Sequence, residues 1–103
     1  MKKLTVFYLD NCPYCRKAKE AEKEIISSDP SLQKVKIEWI EESLHPEIAN
    51  TYDYYRVPSV FFSKTKLYEC SPEDDYNTIK SNFEKAIKIA AEQWRKADFT
   101  TLF

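Results

Sequence analysis

The sequence predicts a single α/β domain with a mixed four-stranded sheet and three helices, in the order β-α-β-α-β-β-α. Three observations predict this fold class. Short apolar segments alternate with stretches of helical periodicity. A helical stretch separates the first two strands, which favours a parallel pair, whereas a short turn joins the last two, which favours an antiparallel hairpin. A chain of 103 residues has room for one core, so we assign residues 1–97 to the domain and 98–103 to a tail.

The first strand and helix are the elements that would carry the chemistry. Residues 3–9 are almost continuously apolar, which is typical of a central strand covered on both faces. Residues 13–28 repeat apolar side chains at spacings of three and four. Pro13 suits the first position of a helix, which leaves Asn11 or Cys12 as the cap.

The middle of the chain predicts a turn, two strands and a short helix. Residues 28–31 read as a turn, and residues 34–40 alternate apolar and charged side chains, as an edge strand does. A short helix is expected at 44–51. The apolar run at 59–62 predicts a third strand, followed by a hairpin turn at Lys64-Thr65.

The last part of the chain predicts the fourth strand and the longest helix. Residues 66–70 form the strand, and Ser71-Pro72-Glu73-Asp74 has the form of a capping box that starts a helix. That helix is expected to end near Ala97. Its apolar stripe consists of Ile79, Phe83, Ala86, Ala90 and Trp94. The tail, with Phe99, Leu102 and Phe103, is expected to dock on the domain, the alternative being a dimer interface.

The composition excludes several classes of protein. With 43% hydrophobic and 15% aromatic residues, the chain is too apolar for a disordered segment. Sixteen basic and seventeen acidic residues give a net charge of −1, so nothing indicates a nucleic-acid partner. No apolar run reaches the ~18 residues of a membrane helix, and no signal-peptide cleavage site follows the first strand, so we expect a cytoplasmic location without a membrane partner. Glycine is absent, which excludes glycine-rich phosphate loops.

The strongest motif is Cys12-Pro13-Tyr14-Cys15, at the junction of the first strand and first helix. A C-x-x-C at such a junction predicts a redox pair. Unpaired N–H groups and the helix dipole favour an anion at Cys12, and Arg16 adds positive charge, as does Lys17. Cys15, one turn later, is expected to be more buried and to act as the resolving thiol.

A zinc half-site and a merely structural pair are the alternatives for this motif. Zinc needs four ligands, and the remaining candidates, Cys70 and His45, have no partner at ligand spacing. We therefore expect no metal. Cys70 is most simply a small buried residue near the site, and His45 an exposed residue at a helix start.

Together, these motifs make the chain resemble dithiol glutaredoxins. Residues 12–15 match their CPYC active site, and Val57-Pro58 before an apolar strand looks like their Thr-Val-Pro element. Residues 58–61 and 67–71 match a Pro-x-Val-Phe…Ile-Gly-Gly-Cys-Ser pattern without a gap, and Tyr52 looks like the tyrosine that precedes the cis-proline of thioredoxins. The resemblance spans roughly residues 3–95.

This resemblance implies a thioredoxin fold with sheet order 2-1-3-4, a cis Val57–Pro58 bond and glutathione-linked thiol–disulfide exchange. Cys12 would be the nucleophile and Cys15 the resolving cysteine. No bound cofactor is expected, and glutathione is a possible co-substrate of a monomeric enzyme that acts on disulfide-containing proteins. The residues implied in binding substrate or glutathione are Tyr14, Arg56, Val57, Pro58, Cys70 and Ser71.

Several positions depart from the glutaredoxin pattern. Leu9 stands where a glutathione-binding lysine is usual, and Pro72 replaces an aspartate. Tyr68-Glu69 replaces Gly-Gly, and Glu69 brings a negative charge toward the anionic tripeptide. Arg56 replaces a threonine and offers a compensating cation. We therefore expect glutathione to bind about one to two orders of magnitude more weakly than in a typical glutaredoxin.

Two alternative functions remain open. The same dithiol chemistry could be fed by a thioredoxin reductase instead of glutathione. Alternatively, the chain could be a non-catalytic thioredoxin-like binding module or an iron–sulfur carrier, although carriers typically have one active-site cysteine.

The roles of two further groups of residues also stay open. Asp74 and Asp75 could cap a helix or contact a glutathione amine, and three tyrosines could line a groove or pack beside a strand. These tyrosines are Tyr52, Tyr54 and Tyr55.

Overall fold

The computed structural model describes residues 3–101, with side chains described as far as residue 92. The predicted fold class and element order are confirmed. The strands and helices are β1 (Lys3–Tyr8), α1 (Pro13–Ser28), β2 (Lys36–Glu41), α2 (Pro46–Ala49), β3 (Ser59–Phe62), β4 (Thr65–Glu69) and α3 (Tyr76–Thr101).

The four strands form one mixed sheet in the order β2-β1-β3-β4. Strand β1 pairs in parallel with β2 and antiparallel with β3, which in turn pairs antiparallel with β4. This is the order that the glutaredoxin resemblance implies, and it confirms β2 as an edge strand. Because β1 and β2 run in parallel, their carboxyl ends lie at the same edge of the sheet, where α1 begins.

The alternation of side chains along β1 divides the core between the two faces of the sheet. Leu4 and Val6 pack with α1 and α3 in the larger cluster. Phe7 points to the opposite face and packs with Ile40 and Phe61 in a smaller, aromatic cluster. All three aliphatic and aromatic residues of β1 named here are fully buried. The continuous apolar run in the sequence therefore reflects a strand covered on both sides.

Two turns differ from the sequence-based expectation. The segment expected to be a plain turn after α1 continues into a 3₁₀ helix at Pro30–Lys34, because the carboxylate of Asp29 accepts the Ser31 N–H and starts a new helical turn. The β-hairpin turns at Ser63-Lys64 rather than Lys64-Thr65, so β4 runs one residue earlier than expected. Ser63 adopts the left-handed conformation, φ 56°, that glycine usually supplies.

The helices also depart from their expected bounds. Helix α2 is only four residues long. Helix α3 starts at Tyr76, not at Pro72, and continues to Thr101 instead of ending near Ala97. The expected docking of the tail side chains lies outside the described residues. Within the described part of the chain, no helix is long and apolar enough to cross a membrane.

Candidate active site

Cys12 is the N-cap of α1, and its half-buried sulfur faces the start of the helix. The side chain accepts the backbone N–H of Cys15, with 3.2 Å between nitrogen and Sγ. This bond and the unpaired N–H groups of the first turn stabilise negative charge on the sulfur. Of the two caps that the sequence allowed, the structure selects Cys12. Arg16 is exposed, and the Lys17 ammonium lies 5.6 Å from the ring centre of Tyr14.

Cys15 lies one turn into α1 and is only 2% exposed. Burial and the neighbouring Cys12 raise the pKa of the Cys15 thiol well above its usual range. Cys15 is therefore protonated in the resting protein, as a resolving thiol should be until an intermediate forms. The predicted difference in burial between the two cysteines is confirmed.

The backbone of Val57 lies next to the Cys12 sulfur. The Cys12 thiol contacts the Val57 carbonyl oxygen at 3.8 Å. The peptide bond between Val57 and Pro58 is cis, as the resemblance implies. Pro58 itself is buried, and its carbonyl accepts the Cys70 N–H at 3.0 Å. Of the candidate binding residues, Pro58 thus contributes to the packing of the loop, whereas Val57 faces the site.

Glu69 holds the loop that leads to Val57. Its Oε2 accepts hydrogen bonds from the backbone N–H groups of Tyr55 at 2.8 Å and Arg56 at 2.7 Å, and its Oε1 accepts one from the Lys66 ammonium at 2.6 Å. Partial burial opposes ionisation, but these three bonds outweigh it and hold the pKa of Glu69 below its ordinary value. From the sequence alone, the negative charge of Glu69 is expected to repel glutathione. The structure shows that this carboxylate is engaged by the protein itself.

A groove of about 270 Å³ is lined by Val57, whose carbonyl contacts the Cys12 sulfur, although neither Cys12 nor Cys15 lines the groove itself. Five of the six candidate binding residues line this groove. The other residues that line it are Leu9, Glu42, Tyr55 and Pro72. The five are Tyr14, Arg56, Val57, Cys70 and Ser71. Arg56 is exposed, and within the described residues its guanidinium forms no ion pair.

Hydrogen bonds close the far wall of this groove. The Tyr14 hydroxyl donates to the Pro72 carbonyl at 2.9 Å, which ties α1 to the loop before α3. Asp74 accepts both the Ser71 N–H at 3.0 Å and the Tyr68 hydroxyl at 2.5 Å. Asp74 therefore stabilises the loop before α3. The capping box was expected to place Asp74 inside the first turn of the helix, but α3 starts only at Tyr76.

The cap of α3 is instead Asp75, whose Oδ1 accepts the Thr78 N–H at 2.8 Å. This bond lowers the pKa of Asp75. Of the two interpretations of Asp75, the structure supports the helix cap. The helix starts later than predicted because Ser71 and Pro72 belong to the turn that walls the groove, and a second acidic residue was available to cap.

Cys70 directly follows β4 in a buried position, 3% exposed. Its thiol contacts the Ser71 carbonyl at 3.5 Å, and burial raises the pKa of the thiol. A protonated, enclosed sulfur is a poor nucleophile. The expectation of a small buried residue near the site is confirmed, and His45 likewise lies exposed at the start of α2.

Glu41 was not identified from the sequence. This buried carboxylate ends β2 and accepts the Asp10 N–H at 3.1 Å, the Ser43 N–H at 2.7 Å and the Ser43 hydroxyl at 2.6 Å. The bonds from Ser43 lead in holding the pKa of Glu41 below its usual range. Glu41 thus fixes the loop between β1 and Cys12. The sequence feature that could have identified Glu41 is its position at the carboxyl end of β2, the strand that is parallel to β1.

The three tyrosines before the cis bond divide between packing and exposure. Tyr52 and Tyr54 pack on Phe7, with ring centres 4.8 and 4.9 Å away. Tyr55 is 89% exposed and lies at the rim of the groove. Packing beside a strand is therefore confirmed for Tyr52 and Tyr54, whereas Tyr55 lines the groove.

Comparison with solved structures places this architecture among known folds. Thioredoxin 1 from the thermophilic eubacterium Thermosipho africanus TCF52B superposes with a TM-score of 0.55 at 16% identity, covering 86% of this chain and 98% of that one. A malarial protein gives a TM-score of 0.56 at 12% identity, covering 82% and 94%. No protein-family model and no curated protein sequence matches the chain. At these identities the likeness shows the fold alone: the chain has a thioredoxin fold.

Proposed function

We propose that this protein is a thiol–disulfide oxidoreductase that reduces protein disulfides or glutathione mixed disulfides through Cys12 and Cys15. One observation carries the proposal: the sulfur of Cys12 accepts a backbone N–H at the start of α1 while Cys15 is buried one turn behind it. An accessible, anion-stabilised sulfur and an enclosed protonated one are the two parts that dithiol exchange requires.

The reaction proceeds in two exchanges. The Cys12 thiolate attacks one sulfur of the substrate disulfide, a Cys12–substrate disulfide forms, and the other substrate sulfur leaves as a thiolate that takes up a proton. Cys15 then loses its proton and attacks the Cys12 sulfur, which releases the second substrate thiol. The substrate gains two electrons, and Cys12 and Cys15 are left as a disulfide. Two external thiols reduce that disulfide again.

The groove beside Cys12 supports the binding of an extended substrate segment. The Val57 backbone lies next to the reacting sulfur, and an extended peptide that pairs with such a backbone adds a short strand. Arg56 offers a cation that forms no ion pair within the described residues, which suits a substrate carboxylate.

The reductant is the second part of the proposal, since this groove differs from a typical glutaredoxin groove. Leu9 lines it without a charge, and Pro72 places no carboxylate there. Arg56 compensates for one lost contact. We therefore propose that glutathione binds about one to two orders of magnitude more weakly than in a typical glutaredoxin, which leaves a thioredoxin reductase as the alternative electron source.

The experiment that tests the proposed function is a trapping assay with a protein disulfide such as insulin. Cys15→Ser should accumulate a mixed disulfide at Cys12, identified by peptide mass mapping, whereas Cys12→Ser should form none and lose all turnover. Cys70→Ser is the matched control and should form no persistent adduct. Adducts distributed equally over the cysteines, or turnover without Cys12, would contradict the mechanism.

The reductant is tested by supplying either glutathione with glutathione reductase, or a thioredoxin reductase with its nicotinamide cofactor. We expect turnover with glutathione to fall well below that of an ordinary dithiol glutaredoxin measured in parallel. Equal turnover of the two proteins would refute the weakened glutathione site and leave the dithiol mechanism intact.

A further inference from the structure

A second cavity, of about 340 Å³, lies between α2 and the segment that precedes Val57. It is at the lower end of the size range of ligand sites, so one long side chain fills it better than a large ligand. Its lining includes Glu42, Ser43, Asn50, Tyr52, Tyr54 and Tyr55.

The cavity has a negative and aromatic lining. Glu42 is its one charged residue within the described chain, and among the described residues it forms no ion pair. One of its oxygens accepts the Tyr54 hydroxyl at 2.5 Å, and together burial and this carboxylate raise the pKa of Tyr54. The phenol thus stays protonated and donates, and among the described residues the Glu42 carboxylate has no cationic partner.

The aromatic rings form a rigid floor and an open rim. Tyr54 stacks on Phe7 with 14° between the ring planes, and Tyr52 meets Phe61 edge to face. The ring of Tyr55 is 89% exposed, although Glu69 fixes its backbone. The Lys64 ammonium already lies 3.8 Å from the ring centre of Tyr52, so Tyr54 and Tyr55 are the rings that remain for a second cation. Tyrosine rings and a carboxylate are together the surroundings that a lysine ammonium or an arginine guanidinium prefers.

This cavity shares two lining residues with the groove that leads to Val57. Glu42 and Tyr55 line both, and the groove extends to Val57, whose carbonyl contacts the Cys12 sulfur. The Glu42 N–H donates to the Tyr8 carbonyl at 3.0 Å, which fixes Glu42 at the carboxyl ends of β1 and β2. A substrate segment held at Val57 therefore passes the mouth of the cavity.

We propose that the cavity is a specificity subsite for a lysine or arginine side chain located within a few residues of the reacting cysteine of a protein substrate. The inference rests on the proposed function. It names the class of substrate: disulfides in basic sequence surroundings, with Glu42 as the acceptor and with Tyr54 and Tyr55 as the aromatic walls.

The test uses short peptides whose one cysteine carries a thionitrobenzoate group, with lysine, norleucine or glutamate at each of the two positions on either side. The Cys15→Ser protein displaces thionitrobenzoate once, so its coloured release reports the rate of attack by Cys12. At one position we expect the lysine peptide to react roughly tenfold faster than the norleucine peptide, and the glutamate peptide to react slowest.

The lysine-to-norleucine rate ratio should fall to below about two when Glu42→Gln is added to Cys15→Ser. Glu47→Gln is the matched control: it removes one charge from exposed α2 and should retain the ratio. A ratio near one in the parent protein, or a ratio that Glu42→Gln leaves unchanged, overturns the subsite.

Binding without chemistry separates this inference from the proposed function. Calorimetry with Cys12→Ser and peptides in which serine replaces cysteine should give the same lysine preference and the same loss in Glu42→Gln. That preference together with an inert Cys12 would refute the redox proposal and support the subsite. Rapid Cys12 chemistry with no preference in either assay would do the opposite.

Discussion

Replacing Glu69 by glutamine is expected to destabilise the protein and to loosen the loop beside the reactive cysteine. The carboxylate accepts the N–H groups of Tyr55 and Arg56 and pairs with Lys66. An amide of the same size keeps one oxygen acceptor but loses the charge. The next residue of the loop is Val57, whose carbonyl contacts Cys12, so this substitution connects stability with the geometry of the site.

The magnitude follows from the bonds that change. A hydrogen bond to a charged group contributes about 1.5–3 kcal/mol and a neutral one about 0.5–1.5 kcal/mol, so the two backbone bonds together lose about 2 kcal/mol. The Glu69 side chain is 19% exposed and that of Lys66 is 35% exposed, so their ion pair adds at most ~1 kcal/mol. With water partly replacing the lost contacts, we expect Glu69→Gln to cost about 1–2 kcal/mol, or roughly 5–15 °C in melting temperature.

Thermal unfolding followed by circular dichroism at pH 7 and at pH 3 measures this effect. The pKa of Glu69 is lowered in the folded protein, so its contribution is present above its ordinary pKa of 4.5 and is lost as the pH falls through the folded value. The difference between the parent and Glu69→Gln should therefore be larger at pH 7 than at pH 3.

Glu84→Gln is the matched control, because Glu84 pairs with Lys88 at 3.1 Å on the surface of α3. It should change stability by less than about 0.5 kcal/mol. If Glu69→Gln behaves like Glu84→Gln, or if its effect is the same at both pH values, then the carboxylate does not hold the loop.

Three further results are expected. Iodoacetamide should alkylate Cys12 at least about tenfold faster than either buried cysteine in the native protein, as peptide mapping would report; equal rates would mean that the sulfur is not activated. Phe83→Ala should lower the free energy of unfolding in urea by about 3–5 kcal/mol, because Phe83 is fully buried and stacks on Trp39; a loss below 1 kcal/mol would argue against that packing. Arg56→Met should raise KM for glutathione mixed disulfides about tenfold, more than it lowers kcat; an unchanged KM would show that Arg56 does not contact the carboxylate.

The sequence predicts the sheet and the placement of Cys12 and Cys15 well because both depend on local signals. The alternation in β2 and the apolar run in β1 report how each strand is covered, and Pro13 marks the first residue of α1. Cys12 and Cys15 are separated by one helical turn, so their spacing alone predicts their relation in space. The cis Val57–Pro58 bond, by contrast, was expected only from the glutaredoxin resemblance.

The remaining site residues were harder to predict because their partners are distant in the chain. Glu69 accepts hydrogen bonds from a loop that lies 13 and 14 residues earlier in the chain. Because the sequence around Glu69 does not indicate these partners, the expectation was that its charge repels glutathione. Glu41 holds Asp10 across 31 residues through the parallel pairing of β1 and β2. The turn at Ser63 was displaced because, without glycine, the usual marker of a left-handed residue is missing.

A redox titration in buffers of defined potential tests the central claim most directly. Cysteine pairing would be mapped by mass spectrometry after acid quenching and alkylation. We expect Cys12 and Cys15 to convert together to one disulfide in a two-electron transition within about −200 to −270 mV, the range spanned by glutaredoxins and thioredoxin, while Cys70 stays reduced. Persistence of both thiols through that range, or pairing of Cys12 with Cys70 in place of Cys15, would contradict the account.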